Sequence, residues 1–525
     1  MTTATAPAIK SVQLKVGLEV HVELATLSKM FSRAKSPAHP DAGDPEPNSL
    51  IDPVVLGLPG ALPVMNKAAV EMSMKVGLAL NCSIANFTKW DRKSYFYPDL
   101  PKAYQISQYD LPLCFDGAVD LPAMDENGFL IGTDETSFQR IGIIRAHLEE
   151  DAGKLLHEAP GGHAIDGSIV DLNRAGTPLL EIVTQPDFSD ADSVVAFARM
   201  LRNICRFLQV TEGVMQRGHM RFEPNINTII TLDDGTVVKT PIVEIKNLNS
   251  FRALKRSIEF EFEDQPKRWR EDGRVMGAGM KQTRGWDDVN NRTTIQREKE
   301  DAHDYRYFPD PDLPPVVIDD AWITRVRESL PELPVSRVRR YVEHFGFAVK
   351  EASALADDPE TNQFFEQTIE EIVSLGIDAT RAGKQAGNFV LQSGLKRANE
   401  QQCPVEKLGI SPTQIAGIVK LREDGSISSN SADELFGVLC DPANAGADPE
   451  TLATEHTMLI VRDEGAMLGW CQQVIDENAP IVEQIKSGKV AAVGRLVGNV
   501  MKLSGGSADA KAVREKLLEM MGVKE

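Results

Sequence analysis

Val12-Gln13-Leu14-Lys15-Val16-Gly17-Leu18-Glu19-Val20-His21-Val22-Glu23-Leu24 alternates without a break over thirteen residues. Val12, Leu14, Val16, Leu18, Val20, Val22 and Leu24 fall on one face of an extended chain. Gln13, Lys15, Gly17, Glu19, His21 and Glu23 fall on the other. A period of two over this length predicts a β-strand with one face in a core. Its second face carries Glu19, His21 and Glu23 in a row, because residues two apart point the same way.

The same pattern recurs downstream. Strands are expected at 140–150, 168–173, 179–184, 220–232 and 236–246, with Asp234-Gly235 as the hairpin turn between the last two. One helix is expected before them and one among them. Asn66 is expected to cap one that carries Val70, Met74 and Leu78. Ser189 is expected to cap a second, striped by Val194, Phe197, Ala198, Leu201, Ile204, Cys205 and Leu208. Residues 89–113 read as a structured loop with short strands, 251–275 as a charged helix, and 276–316 as a polar stretch. From about 324 onward helical patterns dominate, as in 361–374, 382–395 and 412–421, with 422–431 read as a loop. The fold class expected is α+β: a mostly antiparallel sheet body with helices over 1–316, an all-α domain over 317–405, and a helical tail domain over 406–525.

Placing the acids on those strands gives the sharpest constellation. Glu19, Glu149, Glu181, Glu223 and Glu244 each stand in an apolar stretch on a different strand. A carboxylate there is costly without a partner. Several facing one cavity would repel, so a positive group is expected among them. Oxygen ligands with one imidazole, His21, suit a hard cation such as Mg²⁺ better than zinc. The plainer reading leaves each acid on a solvated sheet face. No GxxxxGK[ST] cradle and no GxSxG elbow occurs, so phosphate chemistry would have to proceed without either.

Composition narrows the class. The chain has 525 residues, 57 Lys+Arg against 77 Asp+Glu, and a net charge of −20. That length implies two to four domains. The six cysteines (82, 114, 205, 403, 440, 471) include no CxxC pair, which argues against a disulfide framework and a cysteine-built metal site. No apolar run is long enough to span a bilayer and no secretory pattern opens the chain, so a cytoplasmic protein without membrane contact is expected. An acidic chain that holds nucleic acid must concentrate its Lys and Arg locally. Residues 486–516 do so, with seven basic residues against two acids, a net +5. Lys486, Lys489, Arg495, Lys502, Lys511 and Arg514 are the candidate RNA-binding residues. Apolar stripes Val493, Leu496, Val497, Val500, Leu503 and Val513, Leu517, Met521 predict two helices beneath them, separated at Gly505-Gly506.

Several long runs resemble one family. They are Val16–Leu24 with Ser28–Ser32, Leu58–Pro63, Asp91–Lys102, His147–Lys154, Asp171–Pro178, Val243–Phe251 and Ala302–Pro309. Together they resemble the B subunits of the tRNA-dependent amidotransferases, the aspartyl/glutamyl-tRNA(Asn/Gln) amidotransferases. The resemblance implies an ATP- and Mg²⁺-dependent component of a larger complex. It would phosphorylate the side-chain carboxylate of Glu-tRNA(Gln) and/or Asp-tRNA(Asn). Ammonia would come from the amidase (glutaminase), the complex's A subunit, and a small C subunit would complete the assembly. The resemblance further implies a Mg²⁺ site at Glu19, His21, Glu149 and Glu181, and catalytic roles for Glu149, Glu244 and Glu223. The family's Arg-Cys-Asp-Xaa-Asn reads Arg221-Phe222-Glu223-Pro224-Asn225 here, one methylene longer at the acid. Its Cys-Pro-Val-Cys reads Asp52-Pro53-Val54-Val55, so no zinc is expected. Lys93, Tyr95, Tyr97 and Lys102 are candidates for an ammonia passage or substrate contact. The competing expectations are a tRNA-binding scaffold whose acids are structural, and an unrelated phosphotransferase acting on a small carboxylate.

Overall fold

The structure, a computed structural model, describes residues 7–159, 162–298, 305–460, 464–504 and 508–523. It divides into two compact units, Met1–Ser336 and Arg337–Glu525. The first holds the strands. In chain order they are β1 (Ile9–Glu23), β2 (Ser83–Ile84), β3 (Phe87–Thr88), β4 (Asp91–Ser94), β5 (Tyr104–Ser107), β6 (Cys114–Leu121), β7 (Gln139–Glu150), β8 (Lys154–Ala159) and β9 (His163–Asp171). After these come β10 (Pro178–Thr184), β11 (Met220–Leu232), β12 (Val237–Lys239), β13 (Val243–Lys246), β14 (Gln282–Asp287), β15 (Arg292–Glu298), β16 (Phe308–Pro309) and β17 (Val316–Val317). Its helices are α1 (Lys67–Ala79), α2 (Ala191–Phe207), α3 (Phe251–Asp272) and α4 (Asp320–Glu328).

Ten strands make one sheet in the order β15-β14-β13-β11-β1-β10-β7-β6-β2, with β12 paired to β11. Every pair is antiparallel except β13 with β14. The alternation in β1 has the consequence its pattern predicts. Val16, Leu18, Val20 and Val22 are buried in a core completed by α1, α2 and α3. Each fully buried aliphatic side chain of this kind contributes roughly 1.5–3 kcal/mol. The expected stripe of α2, from Val194 to Leu208, lies in the same core. A smaller three-stranded sheet, β16-β4-β5, carries the motif from Asp91 to Lys102.

Several local expectations shift. Asp190, not Ser189, caps α2, its carboxylate taking the Ser193 N–H at 2.7 Å. Asn66 caps α1 as expected. The single strand expected over 236–246 is two, because Pro241 has no N–H to give a ladder. The turn between β11 and β12 is as anticipated, with Gly235 at φ 86°. The polar stretch after 276 holds the strands β14 and β15.

The second unit is helical. Pro359–Ser374 and Pro412–Glu423 pack together, and a π-helical turn at Phe389–Gly394 interrupts the helix expected over 382–395. The loop expected over 422–431 is shorter, since a helix begins at Ser429. The last residues form a core of their own from Cys471 to Met521. Val493, Leu496, Val500, Val513, Leu517 and Met521 are buried in it as expected, but Leu503 is 43% exposed. Gly505-Gly506 lie outside the described residues. Among the described residues no helix is long and apolar enough to cross a membrane.

Candidate functional site

The five acid-bearing strands are contiguous in the sheet, in the order β13-β11-β1-β10-β7. Antiparallel pairing sets Glu19 opposite Glu223 and His21 opposite both Arg221 and Glu181. Glu181 in turn lies opposite His147, and Asn225 opposite Glu244. Because each acid sits one residue out of phase with its core-facing neighbours, all five point away from the core.

Two overlapping triads result, Glu19–His21–Glu223 and His21–Glu149–Glu181, each with one ligand atom per residue within 4.8 Å of the others. The His21 Nε2 is 3.6 Å from a Glu19 oxygen and 3.6 Å from a Glu181 oxygen. His21 Nδ1 is buried without a hydrogen-bond partner.

The electrostatics follow from burial and crowding. Burial, then the nearby Glu181 charge, pushes the Glu19 carboxyl up. Burial likewise raises Glu149 to about 7. Burial pulls His21 down, but the neighbouring carboxylates of Glu181 and Glu223 outweigh it and hold the imidazole at about 9. His21 is therefore an imidazolium at neutral pH, the positive group that the crowded acids require. His147 is the opposite case, since burial takes it down to about 4 and leaves it neutral 3.8 Å from Glu181. Glu181 is held below its ordinary range: burial opposes this, and His147, charged in the acid range where Glu181 titrates, overcomes it together with His21 and Lys93.

These residues fit a hard dication. Octahedral ligands at about 2.1 Å from Mg²⁺ sit about 3.0 Å apart when adjacent and about 4.2 Å when opposite; the 3.6 Å separations here lie between the two, within a small side-chain adjustment of either. The donor set of carboxylates and one imidazole is also right. A bound cation would displace the His21 proton and ionise Glu19 and Glu149.

The expected catalytic acids divide. Glu223 joins Glu19 and His21, with one oxygen 2.7 Å from Lys246 Nζ. Glu244 lies further along the face, held by Lys246 at 3.0 Å and Lys281 at 2.8 Å. The passage candidates divide as well. Lys93 is half-buried beside Glu149 and Glu181, whose charges, against the cost of burial, hold its ammonium well above the usual range. Tyr95 is close by, and burial raises its phenol. Lys102 pairs with Glu150 instead. Tyr97 is 60% exposed on an open loop with Phe96 and belongs to neither group.

Four partners were not foreseen. Glu150 takes the Ile106 N–H at 2.9 Å as well as Lys102. Asp151 holds Arg221 at 2.8 Å and Arg174 at 3.5 Å. Lys246 pairs the two acids of the neighbouring strands, and Arg145 approaches Glu181 at 3.7 Å. The signal for Lys246 was its place two residues after Glu244; the others depend on strand order. In the second unit, the six candidate RNA-binding residues all occur in the last core's helices and turns. Lys486, Lys489, Arg495, Lys502 and Lys511 are exposed, and Arg514 is half-buried.

Comparison with known proteins agrees along the whole chain. Residues 14–324 match the GatB/GatE catalytic domain, and residues 363–521 match a GatB domain. The chain is similar to the B subunit of the aspartyl/glutamyl-tRNA(Asn/Gln) amidotransferase of Rhodopirellula baltica, 40% identical over 509 residues that cover 96% of each chain. It is 39% identical to that of Caldicellulosiruptor bescii over 510 residues, 97% of this chain and 98% of the relative. It is 41% identical to that of Listeria monocytogenes over 506 residues, 96% and 98%. The chain belongs to the GatB/GatE family, among the B subunits of the aspartyl/glutamyl-tRNA(Asn/Gln) amidotransferases.

Proposed function

We propose that this chain is the carboxylate-activating member of its amidotransferase, working in the cytoplasm on Glu-tRNA(Gln) and/or Asp-tRNA(Asn). A side-chain carboxylate is a poor acyl donor because its oxygen is a poor leaving group. Attack of that oxygen on the γ-phosphorus of ATP releases ADP and gives an acyl phosphate. Ammonia then displaces phosphate and leaves the amide. The glutaminase, the A subunit of the complex, would be the ammonia source, with a small C subunit alongside.

The observation that carries this reading is the set of five acids on adjacent strands of one sheet face, four of which gather around the imidazole of His21. Glu19, His21, Glu149 and Glu181 would hold Mg²⁺. When bound, the ion neutralises phosphate charge. Glu223 and Glu244, braced by Lys246, would fix the nucleotide's side of the site. Lys93 stays charged beside the cluster and suits a phosphate or the substrate carboxylate. Lys93, Tyr95 and the Lys102–Glu150 pair give ammonia a polar route, and Tyr97 is left to a surface role. The exposed basic residues of the last core would grip the tRNA away from its reacting end.

Glu19→Gln tests this in the assembled complex. The expected result is loss of ATP-dependent amidation with tRNA binding retained. Full amidation by the variant would instead favour a tRNA-binding scaffold with structural acids. ATP turnover that ignores misacylated tRNA would point to a phosphotransferase for a small carboxylate.

A further inference from the structure

Three successive residues of β4 organise a surface that the carboxylate chemistry leaves unused. Asp91 is 1% exposed, and its carboxylate takes the backbone N–H of Tyr109 at 3.2 Å. It also takes Lys89 at 2.5 Å, and Lys89 ties Asp110 at 2.7 Å, so the turn bearing Tyr109 is pinned on both sides. Arg92 secures the other wall. It holds Asp310 at 2.7 Å and Asp312 at 2.9 Å, and fixes β16, which pairs with β4. Lys93 then turns to the acid cluster, with its Nζ 5.1 Å over the Tyr305 ring.

The outcome is an ordered aromatic stack. Tyr109 and Tyr307 lie parallel, 4.2 Å between centroids at 14°, and Tyr305 meets Tyr307 edge-on at 6.1 Å. Tyr307 lies within the fields of Lys93, Glu149 and Glu181, so the stack borders the site. Tyr109 is nevertheless 60% exposed. One of its faces lies on Tyr307, and among the described residues no ring stacks on the other. A buried carboxylate fixes the backbone of Tyr109 and the Tyr307 ring holds its side chain, which is what a stacking platform requires, because a ring placed in advance loses little entropy on binding.

We propose that the open face of Tyr109 receives an adenine ring, extending the Tyr109–Tyr307 stack beside the carboxylate cluster. This rests on the reading above, in which both substrates carry adenine: ATP in its base, and tRNA in its terminal nucleotide. Stacking reads the π-face of a base, so the ring of Tyr109 matters and its hydroxyl does not.

The test uses the complete amidotransferase, with Tyr109→Ala and Tyr109→Phe. Equilibrium binding of ATP and of deacylated tRNA is measured beside amidation turnover. Tyr109→Ala is expected to weaken one of the two ligands roughly five- to a hundredfold, and Tyr109→Phe to restore it. A loss confined to ATP assigns its base to the platform, and a loss confined to tRNA assigns the terminal adenosine. Unchanged affinity for both ligands overturns the proposal, as does a Tyr109→Phe defect equal to that of Tyr109→Ala. A wild-type complex that binds both ligands without amidating would refute the carboxylate-activating reading, while the binding arms still judge the platform.

Discussion

The sheet face and the last helical core use charge in opposite ways. On the sheet, Glu149 is 4% exposed and Glu181 8%, packed among like charges and balanced by His21, Lys93 and Lys246. In the helices from Ala479 to Met521, apolar stripes face inward and lysines face water. Buried charge is strong, expensive and fixed in place; exposed charge is weak, cheap and screened by salt. The net charge of −20 averages the two and describes neither. Single substitutions should therefore have large, specific effects on the sheet and small, additive ones in the tail.

The largest expected effect is on turnover. Glu149→Gln, or Glu181→Gln, should lower amidation about 100-fold or more, since it removes a charge from the centre of the candidate cation site. tRNA affinity should stay within about twofold, read by filter binding. A variant that keeps a tenth of wild-type activity would erase the distinction between the regions.

The same acid should cost stability. Its carboxyl rises from 4.5 to about 7 in the folded state. The folded chain thus binds the extra proton across that window. Stability falls as pH rises through it and stays lower above it. In chelator at pH 8, Glu149→Gln should unfold later in urea, by at most ~3 kcal/mol. Added Mg²⁺ should stabilise the wild type and not the variant. A destabilised variant would mean that the acid serves the fold.

These contrasts were partly legible in advance. β1 could be read residue by residue because its two faces meet different media. The acids of β7, β11 and β13 were legible for the same reason, and Glu181 of β10 because a carboxylate stood in an apolar run. What alternation does not contain is strand order, so only the family resemblance brought these five strands to one site, and nothing indicated that Arg221 would reach Asp151 across 70 residues. β14 and β15 escaped notice because Gln282–Asp287 and Arg292–Glu298 are mostly polar, as an edge strand such as β15 can be, while β14 is paired on both sides. Asp190 and Ser189 are adjacent capping residues, and only backbone geometry separates them. In the tail the stripes were legible, but Leu503 sits at the end of its helix, where the seam has run out.

Removing the tail as a unit should have the next effect. The hydrophobic residues of the last core pack against one another between Met467 and Val523. Deleting 464–525 therefore removes that core whole, whereas a cut near 410 would take the helix Pro412–Glu423 from its partner Pro359–Ser374. The shortened complex should bind tRNA roughly tenfold or more weakly at low salt, with a shallower salt dependence. ATP affinity should not move. Unchanged tRNA affinity would transfer RNA recognition to the sheet unit.

The smallest effect is the most diagnostic. Lys502→Ala and Lys511→Ala each remove one exposed charge and no core contact, so stability should change by no more than about 0.5 kcal/mol. If each lysine meets a phosphate, tRNA affinity should fall only about two- to threefold at low salt, and the slope of log K against log salt should lessen by about one. The double variant should show both changes summed, because screened charges at separate sites act independently. Arg514, half-buried against the core, should depart from that rule and lose stability as well. Additivity at the lysines alongside an all-or-none response at Glu149 would establish that the two regions differ in kind. Strong coupling between Lys502 and Lys511 would place them in a built pocket, resembling the sheet face more closely than a solvated strip.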